Sequence, residues 1–194
     1  MPVENKDINS SFVCARCAAR FPTCCRMRSA EELENERPGW EGECFPLSDP
    51  EWERLENAAR ALPAPPPEEL TARAPNSPEF LKAMLTLFPG QAERLAASYP
   101  AGGSHRRMNL RPDGSCVCLT PQGCCLPRQA RPWFCRLFPL WVQRGKLACF
   151  APSDCLAVLE NRSLRDLLRV FGGSEAEFLE LFEGLRRDWG MQPD

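Results

Sequence analysis

A chain of 194 residues with 24 basic and 26 acidic side chains has a formal net charge of −2, which gives little support to generic binding of nucleic acid or an anionic membrane. That length is enough for one apolar core and argues against two full domains. Twelve cysteines beside a single histidine exclude sites built from several imidazoles and turn attention to thiol chemistry.

The opening stretch, MPVENKDINSSFVC, lacks a basic region followed by an apolar one, and no apolar run in the chain approaches the roughly 18 residues of a spanning helix. The expected compartment is therefore cytoplasmic. At about 6% of the chain the cysteines fall below the roughly 8–10% of small secreted disulfide scaffolds, and a reducing cytosol disfavours permanent bridges. Metal ligation is the preferred reading, with disulfides and redox thiols as its alternatives.

The first cysteine run is FVCARCAARFPTCC. The two residues between Cys14 and Cys17 suit a tight turn that aims both sulfurs at one ion, and Cys24 and Cys25 follow. After Cys44, SDPEWERLENAARAL begins with a capping-box pattern of Ser48 and Glu51. It then sets Trp52, Leu55, Ala59 and Leu62 on one helical face. The Pro-rich segment near residues 63–77 is expected to be a loop. A helix from Ser77 to Phe88 has Pro78 in its first turn, and a short helix is expected over residues 90–99. His105 is expected in a solvated loop.

Beyond it, MNLRPDGSCVCL predicts two short strands around a turn, and LWVQRGKLACF a hairpin turning at Arg144–Gly145. A helix from about Ser163 to Phe171 stops at Gly172, and the last helix opens with a capping box of Ser174 and Glu177. The fold class expected from this order is α+β: a mainly helical single domain with short β-hairpins carrying the cysteines. Residues 1–160 form the cysteine-cluster domain, and residues 161–194 a helical appendage packed on it.

Soft thiolates without imidazole favour zinc or an iron–sulfur cluster over hard cations. Neither the usual ferredoxin run nor a pair of zinc-ribbon knuckles is present, so spacing leaves the metal open. Adjacent cysteines fit zinc-knuckle geometry poorly, which tilts the reading toward iron–sulfur.

FVCARCAARFPTCC followed by CVCLTPQGCCLPRQARPWFCRLFP resembles the CxxCxxCC, or YkgJ-type, cysteine-cluster family, described as zinc- or iron-chelating. Cys116, Leu119, Gly123, Cys125, Arg131, Pro132, Cys135, Arg136, Phe138 and Pro139 fall in register with its second motif. In the first motif, Ala18 stands where the family has glycine, and extra residues precede Cys24. The resemblance implies metal ligands at Cys14, Cys17, Cys24, Cys25, Cys116, Cys125, Cys135 and Cys155. They would hold a 4Fe-4S cluster or Zn2+ in one or two sites. Cys44, Cys118, Cys124 and Cys149 fall outside the pattern and are expected to be small buried side chains.

Four thiolates around a metal leave net negative charge, which Arg131 and Arg136 are placed to compensate, while Trp133, Phe134, Leu137 and Phe138 would exclude water. The function implied is a metal-binding protein in an electron-transfer, redox or structural role, with a protein redox partner. Two alternatives accompany it. Flagellin lysine-N-methylases have a similar cysteine motif, and a thiol-redox or metal-handling protein would treat the metal as cargo.

Overall fold

A computed structural model describes residues 7–19, 25, 45–61, 65–150, 155–161 and 163–191; Cys24 and Cys44 lie outside them. The chain folds as a mixed α+β domain in which helices alternate with short antiparallel strand pairs. Helix α1 covers Asp7–Ala18 and α2 Asp49–Ala61. The capping box of α2 forms as its spacing predicts: Ser48 Oγ accepts the Glu51 amide, and the Glu51 carboxylate accepts the Ser48 amide.

The segment expected as a loop contains a one-turn helix, α3 (Pro67–Leu70), and then strand β1, Thr71–Pro75. β1 pairs antiparallel with β2, Ser104–Met108, in register from Thr71 opposite Met108 to Pro75 opposite Ser104. Between them lie α4, Pro78–Leu87, capped by Ser77, and α5, Ala92–Ser98. Strand pairing also turns His105 inward. It is buried, stacks on Phe80 and shares a 2.9 Å hydrogen bond with Asn76 Oδ1, contrary to the solvated loop expected of it.

A small hairpin follows, β3 (Leu119–Thr120) with β4 (Gly123–Cys124). A 3₁₀ turn at Arg128–Ala130 leads into the five-residue helix α6, Trp133–Leu137. The hairpin of β5 (Leu140–Gln143) and β6 (Lys146–Cys149) turns at Arg144–Gly145 as expected, with φ of +50° and +69°. Helices α7 (Leu156–Glu160), α8 (Leu164–Val170) and α9 (Glu175–Asp188) complete the fold.

Two apolar clusters result. The larger joins Phe80, Met84, Phe88, Leu140 and Trp141 to Phe178, Phe182, Leu185 and Trp189, so the last helix is part of the principal core rather than an appendage to it. The smaller gathers Leu47, Leu55, Leu70, Met108, Cys118 and Leu126. Cys14, Cys17, Cys149 and Cys155 belong to the first, while Cys116, Cys124 and Cys125 edge the second.

Glu51 ties α2 to the larger cluster. Its side chain, fully buried, accepts the Trp133 amide at 2.7 Å and the Trp189 indole N–H at 2.8 Å. Among the described residues no helix is long and apolar enough to cross a membrane.

Candidate metal centre

Three local devices bring the cysteine runs together. The Cys116 amide donates to the Cys25 carbonyl at 2.7 Å, which fastens the end of the first run to the start of the second. Gly123, at φ +96°, lies so close to α1 that a Cβ there would meet Ala15 N at 3.1 Å and the Cys14 carbonyl carbon at 3.2 Å. Only glycine fits both the backbone angle and the approach, and the approach brings β4 against α1. Arg111 then braces the loop between them. Its guanidinium donates to the carbonyls of Cys116, Val117 and Leu119 at 2.6–3.0 Å.

Arg131 lies at the centre of one thiol group. It is buried, donates through Nε to the Leu126 carbonyl at 2.9 Å, and also hydrogen-bonds the Cys14 sulfur. The charges that act on it come from Cys124, Cys14, Cys135 and Cys25. Burial pushes the Cys124 thiol up to about 12, partly offset by Arg131, and raises Cys14 in the same way. Cys135 is raised well above the ordinary thiol range, chiefly by desolvation and then by Cys25, Cys116 and Cys124. Its side chain nevertheless keeps open surface.

Cys116 and Cys118 form a hydrogen-bonded pair beside this group. The Cys118 thiol donates to Cys116, which lowers Cys116 below the ordinary thiol range against its own desolvation, with Arg111 helping; Cys118 is raised by the same bond. Cys125 interacts with Cys118 and Cys116, and desolvation raises it. A second group joins Cys17, Cys149 and Cys155. Desolvation carries Cys155 up to about 11, the amides of Val158 and Ala157 draw it down, and Cys17 and Cys149 raise it.

The eight cysteines taken from the family pattern thus divide. Cys14, Cys25, Cys116 and Cys135 meet, Cys17 acts on both Cys14 and Cys155, Cys125 turns to Cys118, and Cys24 lies outside the described residues. Cys14 and Cys17 sit on a helix, not on a tight turn. Two cysteines outside the pattern enter the groups, Cys124 beside Arg131 and Cys149 beside Cys155.

Arg136, expected beside the thiols, stands over the Trp133 ring at 4.6 Å, and the charges acting on it are those of Arg54, Arg128 and Glu51. Burial and the repulsion of the two arginines lower it to about 10. Leu137 is fully buried, and Trp133, Phe134 and Phe138 pack partly buried against the larger cluster.

Among the described residues, no three Cys, His, Asp or Glu side chains already stand at metal-ligand spacing. The donors fit a thiophilic metal in kind: sulfur only, with a fixed countercharge at Arg131. No family model matches the chain, and no curated protein or solved structure matches it either.

Proposed function

We propose that the chain is a metal-binding cysteine-cluster protein that holds an iron–sulfur cluster or zinc through the thiols around Arg131, in an electron-transfer, redox or structural role. The observation that supports this reading is a buried guanidinium whose strongest charge partners are four thiols, Cys14, Cys25, Cys124 and Cys135, drawn from separate stretches of chain. An arginine cannot shed its proton, and a buried cation is costly unless an anion answers it. Thiolates are the anions this neighbourhood can supply. When bound, the metal would supply the positive charge that releases the thiol protons, and in a cluster it would supply reducible iron.

This chain's own part is to hold and compensate that charge. Arg131 would stabilise the thiolates by hydrogen bonding and proximity, Gly123 fixes the distance between hairpin and α1, and Cys135 joins the group from α6. The resemblance to zinc- or iron-chelating cysteine-cluster proteins points the same way. A second reading, thiol redox chemistry, is favoured by the Cys116–Cys118 bond, because a thiol whose pKa is drawn down carries more thiolate at neutral pH than an ordinary one.

Metal analysis and a visible spectrum of protein purified without oxygen test both readings. Iron with acid-labile sulfide, or stoichiometric zinc, is expected. Cys124→Ser and Cys135→Ser should each lower metal content several-fold, and Cys125→Ser should leave it. Metal-free native protein whose Cys116 is alkylated first at pH 7 overturns the metal reading in favour of the redox one.

A further inference from the structure

Beside the Arg131 group, two thiols share a turn that holds them together. Cys116 and Cys118 flank a single residue, and the Leu119 amide closes the turn on the Cys116 carbonyl at 2.9 Å. Bonds from outside pin the same backbone. The Cys116 amide reaches the Cys25 carbonyl at 2.7 Å, the Val117 amide the Asn109 carbonyl at 3.1 Å, and the Cys125 amide the Cys118 carbonyl at 2.9 Å. Arg111 takes the carbonyls of Cys116, Val117 and Leu119. Within that frame the Cys118 thiol hydrogen-bonds the Cys116 sulfur, and Cys116 is the neighbour that acts on Cys118 most, ahead of Cys125 and Cys124.

A disulfide needs Cα atoms roughly 4.4–6.8 Å apart, a separation that two residues flanking one in a turn already have. The pair is also asymmetric. Cys118 is fully buried, while Cys116 is partly exposed. An oxidant arriving from solvent therefore meets Cys116 first, with Cys118 behind it. Cys116 in turn acts on two thiols of the Arg131 group, Cys124 and Cys135.

We infer that Cys116 and Cys118 form a dithiol–disulfide couple that a low-molecular-weight disulfide closes, and that closing it withdraws Cys116 from the metal thiols. The second half rests on the metal reading above; the first half does not. The Cys116 thiolate attacks one sulfur of the disulfide RSSR, so that a mixed disulfide forms on Cys116 and RS− leaves. The Cys118 sulfur then attacks Cys116 Sγ and the second RS− departs. The two RS− take up the two protons that the pair gives up, so RSSR is reduced to two thiols and the pair is oxidised by two electrons. A sulfur tied to Cys118 has no thiolate left to offer a metal.

The full chain, purified without oxygen, is treated with glutathione disulfide, alkylated, and its disulfides located by fragment-ion mass spectrometry. The expected product is a Cys116–Cys118 bridge free of glutathione, which dithiothreitol reopens. Cys118→Ser lacks the second thiol, so one glutathione should stay on Cys116. A bridge elsewhere, Cys118 to Cys125 included, or a wild-type chain that leaves this pair unbridged, overturns the inference. Metal released during the treatment is read with a chromophoric chelator and should rise in proportion to the bridge. A bridge that forms with all metal retained overturns the withdrawal of Cys116 and leaves the metal reading intact. A metal-free chain that still forms the bridge supports the couple and overturns the metal reading, so the two failures are told apart.

Discussion

Replacing Glu51 with glutamine removes one charge and almost no volume, and the structure says what that should cost. Oε1 accepts the Trp133 amide at 2.7 Å; Oε2 accepts the Trp189 indole N–H at 2.8 Å, the Ser48 amide at 3.0 Å and the Ser48 hydroxyl at 2.9 Å. A glutamine amide has only one oxygen. It loses least with its NH2 turned to Trp133, because the other orientation orphans both the Trp189 and Ser48 N–H groups. Even so, one buried backbone donor faces another donor, at about 1–3 kcal/mol, and Arg136 loses the carboxylate that acts on it. A total of about 3 kcal/mol follows. For a chain of this size that lowers Tm by about 6–12 °C. Urea titration followed by tryptophan fluorescence measures it, at matched metal content because a bound ligand would itself shift the midpoint. Glu53→Gln, on the exposed side of the same helix, is the control and should change stability by less than about 0.5 kcal/mol. A Glu51→Gln protein as stable as that control would refute the idea that this carboxylate holds α2, α6 and α9 together.

Gly184→Ala should improve α9 by about 1 kcal/mol if propensity decided. Its Cβ would, however, lie 2.9 Å from Trp133 Cη2, on a ring pinned through its indole N–H by Asp188. Destabilisation of about 1–3 kcal/mol is expected instead, and a raised thermal midpoint would rule the packing out. Alkaline titration of the metal-free chain gives a further check. Burial holds the Cys124 and Cys155 thiols up to about 12 and about 11, so the folded state keeps protons that the unfolded chain releases near pH 8.5. The stability these thiols contribute is full below that pH and is lost as pH climbs toward their folded values. Urea midpoints should therefore fall above about pH 9 and fall less steeply in Cys124→Ala; equal slopes in the two proteins would contradict the assignment.

What the sequence made legible was local. The capping boxes of Ser48 with Glu51 and of Ser174 with Glu177 each depend on a residue three positions away, and each forms. The Arg144–Gly145 turn is as local, and it forms too. What stayed hidden depends on distant partners. Thr71–Pro75 is bracketed by prolines and reads as a loop until β2 supplies the other half of the ladder. His105 looked solvated because the same pairing, which sends it under Phe80, has no trace in its neighbours. The thiols show the same limit. Spacing could pick out cysteines, but not that Cys17 would act on Cys155 as well as on Cys14, a link set by how α1 packs between the β3–β4 hairpin and α7.

The direction of Arg136 was, by contrast, open to inference. In a helix each residue turns the side chain by about 100°, so Trp133 and Arg136, three apart, share a face, while Cys135, two from Trp133, points to the other side by about 200°. Once WFCRL is a helix, Arg136 must go with Trp133 and Cys135 must oppose them. The structure has that arrangement: Trp133 and Arg136 meet Arg54 and Glu51, and Cys135 meets Cys25, Cys116, Cys124 and Arg131. One short helix thus has a carboxylate and arginines on one side and thiols on the other. A five-residue helix is too short to be stable alone, so its orientation is set by what grips each side. The Glu51 contacts that anchor Trp133 therefore also aim Cys135, and the two ends of RPWFCR, with Arg131 among the thiols and Arg136 away from them, serve different charges although only four residues separate them.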